Sequence, residues 1–212
     1  MMFIARISFS LASPRISLPS LRNQSTLAKP IVSPSILNLR IGKIIKIDRH
    51  ENADKLYVSQ ISISPNEENP EAPTTVQVCS GLVDYIPQSK LLNSKVILVM
   101  NLKPSKMRGV KSEAMLLAAS STSVDAGTKV EIVSPPRDVP LGTRVYFKGF
   151  EPESNETIKR VKSSQWDAIA KGLKTDEEGR VVFNLGTEPS ILVDEINLEG
   201  CTVETLKNSD VR

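Results

Sequence analysis

A mainly β chain is expected: a small closed barrel of about five strands, with a C-terminal α+β extension packed beside it. Three observations predict it. Apolar and polar residues alternate over Leu37–Asp48 and again over Leu56–Ile63, the period of half-buried strands. Short apolar runs bounded by turn residues follow at Thr75–Cys79, Lys95–Met100, Ala114–Ala119, Val130–Val133 and Arg144–Phe147. A short helical stretch over Ile86–Asn93, opened by Pro87, interrupts them. Strands of this number and spacing, over about a hundred residues, fit an oligonucleotide/oligosaccharide-binding (OB) barrel; a sandwich is the alternative that periodicity does not separate from it.

The elements follow in order. Residues 1–30 carry no acid, and Arg6, Arg15, Arg22 and Lys29 are interspersed with serines and apolar residues. Phe3, Ile4, Ile7 and Leu11 share one helical face, so the segment reads as a mitochondrial transit peptide. A secretory signal would need a longer unbroken apolar core. Pro30 and Pro34 mark a linker. In the first strand Gly42 reads as a bulge or bend. His50–Asp54 is turn-like, Pro65–Pro73 is an acidic loop and Ser80-Gly81-Leu82 is a tight break. Past Phe150, Thr157–Leu173 looks helical, with Trp166 as an anchor, and Arg180–Leu185, Ser190–Val193 and Cys201–Leu206 look like strands. A segment of about sixty residues is too small to be comfortable alone, so it is expected to pack against the barrel.

Composition excludes several function classes. The hydrophobic content of 40% supports a core, whereas 4% aromatics argue against nucleic-acid binding dominated by base stacking. Two cysteines, Cys79 and Cys201, and one histidine, His50, are too few for the usual zinc sites or a disulfide framework. Buried reduced thiols are expected instead. Without a Cys/His pair at useful spacing or a phosphate-cradling glycine-rich loop, a self-contained catalytic site, cofactor or metal is not expected. No apolar run approaches the length of a membrane-spanning helix.

The chemistry concentrates between two apolar runs. Lys103, Lys106, Arg108 and Lys111 sit in a connection punctuated by Pro104 and Gly109, and no local acid is expected to neutralise them. Such a loop meets an anion, or it is a solvated turn; charge alone does not choose. Arg40, Lys43 and Lys46, at near-alternate positions of the first strand, extend a basic track or simply face solvent. Lys159, Arg160 and Lys162 form a smaller cluster, read as a solvated helix face or a supplementary contact.

Leu39–Lys43, His50–Val58, Ser80–Leu82, Asn101–Met115 and Pro135-Pro136, in that order, resemble the tRNA-binding domain of the endothelial-monocyte-activating polypeptide II (EMAP II) type. Lys159–Trp166 and Gly200–Arg212 resemble, more loosely, the eukaryotic extension of that family. The resemblance implies three regions: a transit peptide and linker over 1–35, an OB-fold tRNA-binding domain over 36–149, and the extension over 150–212. It implies a non-catalytic protein that holds tRNA by backbone and shape, acting as a mitochondrial cofactor or chaperone for tRNA. The alternative is an adaptor that docks an aminoacyl-tRNA synthetase. Because the extension stands in for the second subunit of bacterial relatives, a monomer is implied. The location expected is the mitochondrial matrix, with the cytoplasm as the alternative. For the site, Lys103, Lys106, Arg108 and Lys111 neutralise phosphates. Asn101 and Ser112 donate hydrogen bonds, and Met115 offers an apolar contact to an unstacked base. Arg40 and Lys43 lie along the track, and Ser80 lies in a loop near the RNA-binding face. Asn101 better suits closing the turn by bonding its own backbone, Met115 suits a core position as well as a contact, and His50 with Asp54 is expected to fix a loop.

Overall fold

A computed structural model describes residues 32–64, 74–123, 127–152, 158–184 and 188–212, and the described part of Ile31–Arg212 is one compact unit. The expected leader, the acidic loop Pro65–Pro73, Thr157 and Leu185 lie outside the described residues. The elements are β1 (Leu39–His50), β2 (Ala53–Ser62), β3 (Thr75–Ser80), α1 (Gln88–Leu91), β4 (Lys95–Val99), β5 (Ser105–Met107), β6 (Val110–Ser112), β7 (Met115–Leu116), β8 (Ala118–Ser123) and β9 (Gly127–Ile132). Then come β10 (Arg144–Phe147), α2 (Ser163–Ala170), β11 (Leu173–Thr175), β12 (Val181–Phe183), β13 (Ser190–Asp194) and β14 (Asp210–Val211).

The barrel runs β3-β2-β1-β4-β7, every pairing antiparallel. It closes where the stretch between β6 and β7 meets β3. The Glu113 N–H donates to the Gln77 carbonyl (2.8 Å), and the Gln77 N–H donates to the Glu113 carboxylate (3.1 Å). The fifth barrel strand is therefore the broken run β6–β7, and the OB barrel expected from strand count is the architecture found.

Two cores share the barrel wall. Ile44, Ile47, Tyr57, Ile61, Val78, Val96, Leu98 and Leu116 fill the barrel, with Leu91 of α1 as part of that cluster. On the outer side, Leu39, Ile41, Ile97, Val99 and Leu117 pack with Phe147, Ile169, Leu173, Phe183, Leu192 and Cys201. Alternate residues of β4 thus enter opposite cores, which is why its sequence is continuously apolar rather than alternating. The extension joins this second core through the path β1-β10-β13-β12-β11-β14-β8. Trp166 packs against it, as an anchor would.

Three expectations change. Gly42 is not the bulge: the register of β1 against β2 shifts between Ile44 and Lys46. At Gly42 a Cβ would lie 2.6 Å from Ile61 Cγ2 and 2.9 Å from Leu98 Cδ1, so close packing of the barrel interior demands the glycine. The helix expected over Thr157–Leu173 spans only Ser163–Ala170, with Val161 bridged to Leu102 before it and β11 beginning at Leu173. Cys201–Leu206 is not a strand; Thr202 makes isolated bridges to Ser134 and Arg180, and the last strand is β14. Cys79 and Cys201 are buried free thiols, and burial, with Asp194 nearby, pushes the Cys201 thiol up to about 12.

Candidate nucleic-acid interface

The connection between β4 and β7 is itself a hairpin. β5 and β6 pair Ser105 with Ser112, Lys106 with Lys111 and Met107 with Val110, leaving Arg108 and Gly109 as a two-residue turn. Both turn residues have positive φ, 50° at Arg108 and 95° at Gly109, the signature of the turn that matches strand twist. Asn-Gly is the unstrained choice there. Arginine in a left-handed conformation costs about 1 kcal/mol. Its Cα is therefore held at the tip against local preference, and its guanidinium is exposed.

Lys103, Lys106 and Arg108 are exposed, and their side chains make no hydrogen bond or ion pair among the described residues. Lys111 differs. Its Nζ lies 2.8 Å from Glu113 Oε1, so the expectation that no local acid neutralises the loop fails there. The Lys111 side chain first, and the Gln77 N–H second, hold the Glu113 carboxyl below its ordinary value. The signal was in the sequence: residues two apart on an extended chain share a face.

The hairpin does not wave freely. His50 is 5% exposed, and its Nδ1 accepts from the Asn52 N–H (3.0 Å). Only a neutral ring with its proton on Nε2 satisfies that bond, and Nε2 then donates to the Met107 carbonyl (3.1 Å). The residue expected to fix one loop therefore ties the β1–β2 turn to β5. These are the two loops that flank the binding face of an OB barrel.

The remaining predicted residues sit at the hairpin's root or elsewhere. Asn101 is 8% exposed; its Oδ1 accepts from the Asn38 N–H (2.9 Å), and its Nδ2 donates to the carbonyls of Ile36 and Lys159 (2.8 Å each). None of the three partners lies in its own turn, so the expectation that Asn101 closes that turn fails; the amide instead joins the entry to β1, the end of β4 and the extension. Ser112 is buried, its Oγ accepting from the Cys79 N–H (3.0 Å) and donating to the Ala114 carbonyl (3.0 Å). Met115 is half-buried opposite Val99 and packs on the outer core.

The basic track along β1 does not reach the hairpin as one line. Arg40 donates to Asn38 Oδ1 (3.1 Å) and the Gly142 carbonyl (3.0 Å), beside Arg144. Burial and the Arg144 charge lower its pKa, with Glu195 opposing them. Lys43 lies opposite Lys95, where β4 begins, whereas the hairpin leaves from the other end of β4. Lys46 pairs with Asp48 (3.3 Å). Ser80 ends β3 opposite Tyr57, with its Oγ buried and unpartnered among the described residues.

Among the described residues no cluster of three or more His, Cys, Asp or Glu side chains can hold a metal ion. No helix there is long and apolar enough to cross a membrane.

Comparisons with known proteins agree with this geometry. The family described as "Putative tRNA binding domain" matches residues 39–144, the barrel together with the hairpin. The chain is 44% identical over 145 residues to the tRNA-aminoacylation cofactor arc1 of Schizosaccharomyces pombe, a match covering 68% of this chain and 30% of that protein. It is 42% identical to the cytoplasmic methionine–tRNA ligase of Arabidopsis thaliana, across 66% of this chain and 16% of the ligase. With the mouse aminoacyl tRNA synthase complex-interacting multifunctional protein 1 it shares 37% identity, across 89% of this chain and 54% of that protein. The chain thus spans from a sixth to about half the length of these relatives. Its fold is that of the C-terminal domain of Plasmodium vivax p43, with TM-score 0.65 and 22% identity over 85% of this chain and 99% of that one.

Proposed function

This chain belongs to the tRNA-binding domain family, and from that premise we propose that it is a non-catalytic module that holds tRNA by backbone and shape. One observation carries the reading. A hairpin tethered at its root and at His50 presents Lys103, Lys106 and Arg108 to solvent, with Arg108 kept at a strained tip. Unpaired cations on a pre-ordered loop neutralise phosphates with little ordering cost, and they read no base edge. Arg108 adds a fork that grips one phosphate bidentately. In this reading Asn101 and Ser112 shape the loop, and Met115 backs it from the core.

A filter-binding titration with tRNA at several salt concentrations tests the proposal. Lys106→Glu with Arg108→Glu weakens binding and lowers the log–log salt slope by about 1 for each lost phosphate contact. Unchanged affinity and slope would sink the assignment.

Two finer readings belong to the same proposal. The names of the arc1 cofactor and the synthase complex-interacting protein favour delivery of tRNA to an aminoacyl-tRNA synthetase. A pull-down of the full chain that recovers tRNA but no synthetase would count against it. The acid-free, Arg- and Ser-rich stretch 1–30 favours the mitochondrial matrix; a tagged full chain found in the cytosol overturns that.

A further inference from the structure

We propose that a cleft beside the hairpin's root, between the extension and the start of the barrel, is a second phosphodiester subsite of the same RNA interface. The inference rests on the tRNA-binding reading and deepens it.

The extension approaches the hairpin through backbone. Leu102 and Val161 form a parallel bridge, and the Val161 N–H donates to the Asn101 carbonyl (2.9 Å). Val161 is 3% exposed, so in this extended segment its neighbours Arg160 and Lys162 point to the opposite, solvent face. The parallel register also sets Lys162 beside Lys103, one residue beyond the bridge on each side. Cations therefore continue from the tip at Arg108 through Lys106 and Lys103 to Lys162 and Arg160. Neither Arg160 nor Lys162 makes a side-chain hydrogen bond or ion pair among the described residues.

At the end of that line lies a cleft of about 320 Å³, into which Arg144, Lys159, Arg160 and Lys162 all contribute. No acid lines it among the described residues. Beside it, Glu195 Oε1 accepts the Arg144 backbone N–H (2.9 Å). Arg160 and Lys162, both exposed, supply the cleft's unpaired charge. The floor includes Ile36 and Leu37, and Ile158 stands 50% exposed at the rim. A cationic rim over an apolar floor suits a phosphate with its sugar laid inward. The first turn of α2 opens beside it, and its dipole adds to the positive field. The partner is RNA backbone because the Leu102–Val161 bridge sets this cleft's cations beside the root of the cationic hairpin.

The test compares charge-neutral pairs in the full chain by filter binding of tRNA across salt concentrations. Arg160→Gln with Lys162→Gln lowers the salt slope by about 1 to 2, as does Lys106→Gln with Arg108→Gln, and the two losses add in log Kd. Arg160→Lys with Lys162→Arg, which keeps both charges, restores the slope. If the hairpin pair loses slope and affinity while the cleft pair keeps both, this inference falls and the tRNA-binding reading stands. If neither pair changes them, both fall. Competition with inorganic phosphate and with a free mononucleotide separates the source. Retained tRNA binding at phosphate concentrations that saturate the cleft would show a small-anion site and overturn the RNA assignment. All side chains substituted here are exposed, so thermal melts should match the unsubstituted chain. Should the double cleft variant unfold, Lys162→Gln alone carries the same slope test with an expected loss of about 1.

Discussion

At the root of the hairpin Asn101 is 8% exposed and its amide makes three hydrogen bonds to two other segments, the entry to β1 and the extension. At the tip Arg108 is exposed, sits at a φ of 50° that arginine disfavours, and makes no side-chain bond among the described residues. They lie seven positions apart in the chain. One end follows every rule of a stable interior, and the other departs from local preference. Departures of this kind concentrate where a side chain is needed for something other than folding. The difference teaches that a single sequence motif mixes two jobs, scaffold and contact. Substitutions at the root should change stability and leave the salt slope of RNA binding alone. Substitutions at the tip should do the reverse.

The largest effect is expected at Asn101. Asn101→Ala removes three hydrogen bonds and leaves the Asn38 N–H and two carbonyls without their partner. A loss of about 3 kcal/mol in urea unfolding follows. The folded fraction should keep the salt slope of the unsubstituted chain. A loss under about 1 kcal/mol would show that Asn101 is not the joint between barrel and extension.

His50 stands between the two ends. His50→Ala breaks both ring bonds and costs about 2 kcal/mol of stability. It also frees the Met107 carbonyl, so the hairpin must be ordered on binding, and tRNA affinity falls by roughly threefold to tenfold. The salt slope stays, because the same phosphates are met. A reduced slope would mean that His50 itself lies at the RNA, and the division between tethering and contact would need redrawing.

At the tip the expected sign of the stability effect reverses. Arg108→Asn keeps a residue that tolerates the left-handed conformation and relieves about 1 kcal/mol of strain. For a unit of this size the melting temperature rises by about 2–4 °C. In the same variant the tRNA salt slope drops by about 1. A falling melting temperature would show that the tip is not strained, and the comparison would lose its physical basis.

Much of this was legible beforehand, for reasons that particular residues make plain. The alternation in β1 and β2 is a local signal, so both strands are found, although the turn expected over His50–Asp54 shortens to Glu51–Asn52 and β2 begins at Ala53. The unbroken apolar run of β4 signalled burial on both faces, and the second core explains it. The pairing of β5 with β6 was not legible, because three-residue strands carry no periodicity. β14 is shorter still, and its register against β8 and β11 is set by the extension's fold rather than by its own residues. The placement of Lys159–Lys162 was missed for a related reason. Its bridge to Leu102 spans some sixty residues of sequence, and only the folded chain brings the two basic segments side by side. The partners of Asn101 were hidden in the same way, since all of them come from distant strands and loops.

The smallest expected effect sits where root and tip meet, at Glu113. Its carboxylate accepts from Lys111 and from the Gln77 N–H, and these hold its pKa below the ordinary 4.5. A depressed carboxylate pKa means that the folded state favours the ionised form. The contribution to stability is therefore complete above the unfolded value and is lost as pH falls through the folded one. Stability of the unsubstituted chain should decline below about pH 4.5 more steeply than that of Glu113→Gln, measured by urea unfolding at stepped pH. The ion pair with Lys111 is solvent-exposed, so the gap is small, and added salt should narrow it. The same variant frees Lys111. If Lys111 then joins Lys106 and Arg108 on the phosphates, the tRNA salt slope of Glu113→Gln steepens by up to about 1, so a root substitution acquires a tip effect. An unchanged slope would instead keep Lys111 with the scaffold and leave the RNA face to Lys103, Lys106 and Arg108.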